Sequence, residues 1–285
     1  MNPDAPIGVF DSGVGGLLVL RAIHDTLPAE RLIYLADSAH APYGDRPVDF
    51  VRDRSLRMVD LLVDRGVKAV VIACNTASVL ASEALRSRHA IPIVAMEPAI
   101  KPAVSRSRSK VVGVLATRQT LASVSVARLC ARYGRDVRIV LQACPGLVER
   151  VEAGDLSGPT TRALLDAYVS PLIEAGADVL VLGCTHYPFL EPSIRELVGP
   201  GVDILDASRA VAAELKRRIA PHRHASPVGS ADTLRFCSTS PASTASPIFN
   251  ALWGRSVAVE FVCDGPQSTS LPQRRHSPTP KEIHP

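Results

Sequence analysis

Short apolar runs rich in β-branched residues recur at 7–10, 32–36, 68–73, 91–96, 110–115, 137–141, 178–182 and 202–205, each of strand length. Between them, at 17–27, 48–64, 121–132 and 207–219, the apolar positions fall three and four apart, the spacing of one helix face. Alternating strand and helix patterns predict parallel sheets wrapped by helices, an α/β fold. Residues 98–109 mix prolines, serines and basic side chains, and 221–230 is a second polar, proline-bearing run; both read as loops where the chain crosses between lobes. Strand-like 233–237, apolar 249–253 and strand-like 256–262 follow, so the chain is expected to return to its first lobe. The division expected is 1–97 plus 208–265 for a discontinuous first lobe and 98–207 for the second. The proline-rich tail 266–285 cannot bury enough apolar surface to offset the entropy of ordering and is expected to be disordered.

One weak internal repeat sharpens this picture. VKAVVIACNTAS (67–78) and ADVLVLGCTHYP (177–188) share a buried strand, a small residue, a cysteine, polar residues and a helix pattern. The repeat predicts two similar parallel-sheet lobes related by a pseudo-twofold axis, with Cys74 and Cys184 facing each other across the crevice. Open α/β sheets bind ligands outside the carboxyl ends of their strands, where both cysteines fall. A cysteine at a strand end before a helix meets unsatisfied N–H groups and the positive end of the helix dipole, which favour thiolate. Ordinary thiols titrate at about 8.5, so a modest downward shift would make either one reactive near neutrality. A free cysteine is more often a small buried hydrophobe, and that reading is kept for Cys130, Cys237 and Cys263. The matched polar followers, Asn75 and Thr76 after one and Thr185 and His186 after the other, set Cys74 and Cys184 apart.

Composition narrows the class. In 285 residues, 46% are hydrophobic and 21% charged, the balance of a folded globular protein. A net charge of +4 without a run of five like charges, and aromatics at 4%, give no sign of a nucleic-acid surface. No run approaches the roughly 18 apolar residues of a membrane span. The first residues carry no signal-peptide pattern and the cysteines no scaffold spacing, so a cytoplasmic location with reduced thiols is expected.

Two further segments carry candidate chemistry. The first strand ends in Asp11-Ser12-Gly13-Val14-Gly15-Gly16, a glycine-rich turn before a helix. Its amides and Ser12 could receive an anion, or the glycines could serve only a tight turn. The spacing is neither a dinucleotide fingerprint nor a P-loop. Asp11, at a strand end near the crevice, could pair with an ammonium group or tune a thiol. After the second strand, Asp37-Ser38-Ala39-His40-Ala41-Pro42-Tyr43-Gly44 is a loop of turn formers, either a binding edge or a plain surface turn. None of Lys68, Lys101, Lys110, Lys216 and Lys281 lies in a candidate motif, so no pyridoxal phosphate, and no other organic cofactor, is expected.

Four stretches, IGVFDSGVGGL, YLADSAHAPYG, ACNTAS and GCTHYPFL, together resemble the glutamate racemases, cofactor-independent members of the aspartate/glutamate racemase superfamily. The resemblance runs from about residue 7 to 262. It implies two α/β lobes holding L- or D-glutamate between them, a homodimer, and supply of D-glutamate to peptidoglycan. It also implies Cys74 and Cys184 as an acid/base pair acting on the D- and L-isomer respectively, assisted by Asp11, Glu152 and His186. The substrate contacts implied are Asp11, Ser12, Pro42, Tyr43, Gly44, Asn75, Thr76, Thr117, Thr120, Thr185 and His186, with no metal. Inverting an α-carbon requires removing a proton from one face and delivering one to the other, and two groups on opposite faces avoid returning it where it began. Three rivals stand beside this reading: racemisation of aspartate or another small acid, metal-assisted hydrolysis with Cys74, Cys184 and His186 as ligands, and a non-catalytic two-lobed amino-acid binder.

Overall fold

The structure, a computed structural model, describes residues 2–222 and 233–264. The chain opens with β1 (Ile7–Asp11), α1 (Leu17–Thr26), β2 (Leu32–Ala36), α2 (Val48–Val63), β3 (Ala69–Ile72), α3 (Asn75–Arg88) and β4 (Ile93–Ala95). Its middle holds α4 (Ile100–Arg106), β5 (Val111–Ala116), α5 (Arg118–Leu121), α6 (Val124–Tyr133), β6 (Arg138–Ala143), α7 (Leu147–Glu152), α8 (Pro159–Glu174), β7 (Val179–Leu182), α9 (Glu191–Val198) and β8 (Asp203–Leu205). Then follow α10 (Ser208–Arg218), β9 (Leu234–Ser238), α11 (Ala242–Trp253) and β10 (Val259–Phe261).

All strand pairs are parallel, in two sheets ordered β10-β9-β2-β1-β3-β4 and β6-β5-β7-β8. The order β2-β1-β3-β4 recurs as β6-β5-β7-β8, so the duplication expected from the cysteine segments extends to the winding of the chain. The returning strands β9 and β10 add to the β2 edge of the first sheet. Glycines at matching places in the central strands record the same plan. A Cβ on Gly8 would lie 2.9 Å from the Leu62 side chain, and one on Gly113 2.7 Å from that of Leu180.

Alternation along each strand divides the core. Ile7, Val9 and Tyr34 face α1, α10 and α11, whereas Phe10, Ile33 and Leu35 face α2 and α3. In the second sheet Val112, Val114, Val179 and Val181 pack with Ile100, Ala103 and Val126 of α4 and α6, while Leu115, Leu180 and Leu182 face the other way, with Leu165, Val169 and Leu172 of α8. The cluster containing Leu180 is continuous with that under Ile7 and Val9, so one apolar core joins the two sheets behind the crevice.

Some expectations need correction. The segment 98–109 is not all loop, since Ile100–Arg106 is helical. Ile100 and Ala103 bury one face, and Pro102 falls in the first turn, where a missing N–H costs nothing. The helix expected over 121–132 is divided, because Ser123 caps a new start by accepting from the Val126 N–H at 3.2 Å. The apolar run 249–253 is the end of α11, which tolerates Pro247. The tail 266–285 and most of the loop 221–230 lie outside the described residues. Among the described residues no helix is long and apolar enough to cross a membrane.

Candidate active site

β3 and β7 deliver the two cysteines. Cys74 caps α3, its sulfur accepting from the Ala77 N–H at 3.5 Å, and its thiol lies 3.4 Å from Ser12 Oγ. Cys184 follows β7 after Gly183, a small residue set against Ala116 and the Leu115 carbonyl of β5. Both sulfur-bearing residues line one narrow cavity. Its wall also includes Ser12, Pro42, Tyr43, Gly44, Asn75, Thr76, Thr117, Thr185 and His186, and one residue absent from the sequence reading, Val148. Val148 stands four residues before Glu152 on α7, hence on the same helix face, and that spacing was the available signal. The Asn75 amide is buried and neither its oxygen nor its nitrogen has a protein partner, so this wall carries unspent hydrogen-bonding capacity toward a polar ligand.

The remaining sequence candidates stand behind the wall. Asp11 is fully buried at the end of β1, accepting from the amides of Ser12 (2.7 Å) and Gly16, with Thr185 Oγ1 3.5 Å away. Glu152 Oε1 accepts from the Val14 N–H (2.9 Å) and meets His186 Nε2 at 2.7 Å. His186 Nδ1 lies 3.8 Å from Cys184 Sγ. Thr120 is buried beneath Thr117 (2.9 Å) and reaches Thr76 at 3.3 Å, while Thr76 and Thr117 are 2.9 Å apart, a hydroxyl cluster joining the two lobes.

The glycine turn is therefore not an open anion cradle. The amides of Ser12, Val14 and Gly16 are taken by the protein's own carboxylates, and the glycines serve close approach between lobes. A Cβ on Gly13 would fall 1.8 Å from Glu152 Oε1, and one on Gly15 2.5 Å from His186 Nδ1. The loop after β2 is likewise a built wall rather than a plain surface turn. Buried Asp37 accepts from Arg54 Nε (2.8 Å) and Nη2 (2.7 Å), from Thr239 Oγ1 (2.9 Å) and from the Tyr43 hydroxyl. Burial alone would raise the Asp37 carboxyl, but the Arg54 and Tyr43 hydrogen bonds hold it below the usual range. At the mouth, contacts between the lobes are polar: Gln119 Nε2 donates to the Arg46 carbonyl (2.9 Å), and Arg118 pairs with Asp45 (3.2 Å).

The two thiols keep opposite electrostatic company. Burial, joined by the nearby Asp11 carboxylate, pushes the Cys74 thiol up and outweighs the Ala77 N–H and Ser12 contacts. This corrects the expectation of a lowered value at Cys74, because the desolvation of an enclosed site exceeds the help from a helix start. Burial would make His186 neutral, yet its hydrogen bonds to Cys184 and Glu152 prevail and hold it protonated, well above its usual value. Cys74 thus stands beside a carboxyl and Cys184 beside an imidazolium.

Asp11 is raised to about 6 by burial, against the opposing pull of His186 and the Gly16 N–H. Because the folded value exceeds the unfolded one, this carboxyl's contribution to stability is complete below about 4 and is lost as the pH rises through about 6. Over the same interval Asp11 gains its charge. A profile of kcat/KM against pH should therefore show its acid limb near 6, and a limb near 4 would mean that Asp11 is dispensable in its charged form.

Comparison with known proteins places this geometry. The Asp/Glu/Hydantoin racemase family profile matches residues 7–215. Glutamate racemase of Pseudomonas paraeruginosa is 48% identical over 256 residues, covering 90% of this chain and 96% of that protein. The Ralstonia nicotianae glutamate racemase is 50% identical over 268 residues, 94% of this chain and 96% of its own. Among solved structures, glutamate racemase from Francisella tularensis in complex with D-glutamate superposes with a TM-score of 0.79 at 28% identity, over 92% of this chain and 99% of that one. With its duplicated parallel sheets and this family match across most of its length, the chain belongs to the Asp/Glu/hydantoin racemase family.

Proposed function

We propose that the chain interconverts L- and D-glutamate, with Cys74 and Cys184 exchanging protons with opposite faces of the α-carbon. The observation that carries this reading is the single cavity lined by both thiols, one from each repeat, with a buried polar wall. The similarity to glutamate racemases supports glutamate as the substrate.

In the D-to-L direction, Cys74 as thiolate takes the α-proton and the Cys184 thiol donates its own to the other face. Turnover leaves Cys74 protonated and Cys184 ionised, the state that accepts the L-isomer. The bound substrate brings its own ammonium group into the enclosed site, which offsets the Asp11 charge and lowers the cost of a thiolate at Cys74. Negative charge developing toward the α-carboxylate is met by hydroxyl and amide donors, for which Asn75, Thr76, Thr185 and Ser12 stand ready. Asp11, His186 and Glu152 set the charge around the two sulfurs. Of the described residues, those within 1–97 and 208–265 act as one lobe and 98–207 as the other. The cellular role that fits is cytoplasmic supply of D-glutamate for peptidoglycan.

Incubation with L- or D-glutamate in D₂O tests this. Each enantiomer should approach an equal mixture while acquiring α-deuterium, with activity surviving exhaustive chelation. Exchange with aspartate but not glutamate would assign a different substrate, loss on chelation would favour metal chemistry, and binding without exchange would make the chain a binder.

A further inference from the structure

We infer that Tyr34, a strand residue outside the cavity, is a positioning residue for the Cys184 half of the reaction, acting through the glycine turn and the Glu152–His186 pair. The inference rests on the racemase reading above. Tyr34 lies on β2, wholly buried, its ring edge-on to Phe249 with centroids 5.9 Å apart. Its hydroxyl donates to the Gly13 carbonyl at 2.7 Å. A Cβ on Gly16 would lie 3.0 Å from the same oxygen, so the hydroxyl is wedged beneath the turn and fixes its height.

One residue beyond that carbonyl, the Val14 N–H donates to Glu152 Oε1 at 2.9 Å; this oxygen meets His186 Nε2 at 2.7 Å, and His186 Nδ1 lies 3.8 Å from Cys184 Sγ. Four contacts thus run in series from the interior of the first sheet to a reacting sulfur of the second lobe. The Glu152 side chain is 21% exposed, so once the Val14 N–H moves away water competes for its carboxylate and the grip on His186 loosens. Cys74 is held more directly, by Ser12 and by the Ala77 N–H of its own helix, and the turn reaches it only through Asp11, which accepts from the Ser12 and Gly16 amides. Removing the Tyr34 hydroxyl should therefore slow the Cys184 proton transfer more than the Cys74 one.

Because enantiomers have equal free energies, kcat/KM must fall equally in both directions in any variant, and the asymmetry appears in isotope effects. Tyr34→Phe keeps the ring that packs on Phe249, so the fold is retained. Its kcat/KM should drop about tenfold, the worth of one buried hydrogen bond in the network. With α-deuterated substrates, the primary isotope effect on kcat/KM should grow for L-glutamate, whose proton Cys184 takes, and shrink for D-glutamate. Adding Tyr34→Phe to Glu152→Gln should cost little more, since the series is already cut. Phe249→Leu serves as a packing control: it should lower Tm without changing either isotope effect. Equal growth for both enantiomers, growth for D-glutamate alone, or full additivity with Glu152→Gln would overturn the inference. A native protein inactive on both enantiomers would instead remove the functional reading itself, whereas native turnover with an unchanged isotope pattern in Tyr34→Phe removes only the role of Tyr34.

Discussion

Replacing either cavity thiol by a hydroxyl, in Cys74→Ser or Cys184→Ser, is expected to reduce racemisation of glutamate by about 10³-fold or more. Both residues are almost fully buried, at 4% and 6% exposure, so the smaller oxygen leaves the packing nearly unchanged and the loss reports chemistry. A serine hydroxyl is a far weaker acid than a thiol and cannot ionise beside Asp11, where even the thiol is pushed up by burial. On the other face, a hydroxyl next to the His186 imidazolium would neither hold the charge of a thiolate nor release a proton as readily. Since each turnover uses both groups, the double variant should be little worse than either single one. Retention of a tenth of native turnover by either single variant, measured by polarimetry with both enantiomers, would defeat the two-base assignment.

Gly13→Ala is expected to cost about 10²-fold in kcat/KM, although it adds one methyl group at a position outside the cavity wall. The added carbon would fall 1.8 Å from Glu152 Oε1, a distance no relaxation of a side-chain tip can absorb while the Val14 N–H bond to the same oxygen survives. Glu152 must leave, and His186 loses one of the two hydrogen bonds that hold it above its usual value and fix its ring beside Cys184. The loss should fall mainly on kcat, because the residues that would hold the substrate remain in place. A Gly13→Ala enzyme with native kcat would show that the approach of the two lobes at this turn is irrelevant to the chemistry.

Much of this architecture was legible in the residues. The eight strand patterns each contain a strand, because buried parallel strands leave continuous β-branched runs. Cys74 and Cys184 could be singled out because duplication repeated their setting, strand, cysteine, polar pair and helix. What stayed hidden was whatever depends on contact between distant segments. Gly13 and Gly15 looked like ordinary turn formers, and only the arrival of Glu152 and His186 explains why they carry no side chain. Tyr34 read as one more strand aromatic, since nothing local shows that its hydroxyl reaches a carbonyl twenty-one residues earlier. The direction of the Cys74 shift was misjudged for the same reason: a helix start is visible in the sequence, but the enclosure that outweighs it is not.

The apolar cluster that threads both sheets behind the thiols has a mechanical consequence. At the back, separating the lobes would expose hydrocarbon to water; at the front, Gln119, Arg118 and their partners exchange one hydrogen-bond acceptor for another when they let go. Motion that admits a ligand is therefore biased toward a clamshell swing about an oily spine, with wet lips parting first. The sulfurs lie between spine and lips with only a few per cent of their residues exposed, so the swing that lets glutamate exchange also widens the site's contact with the medium and eases the trading of its protons.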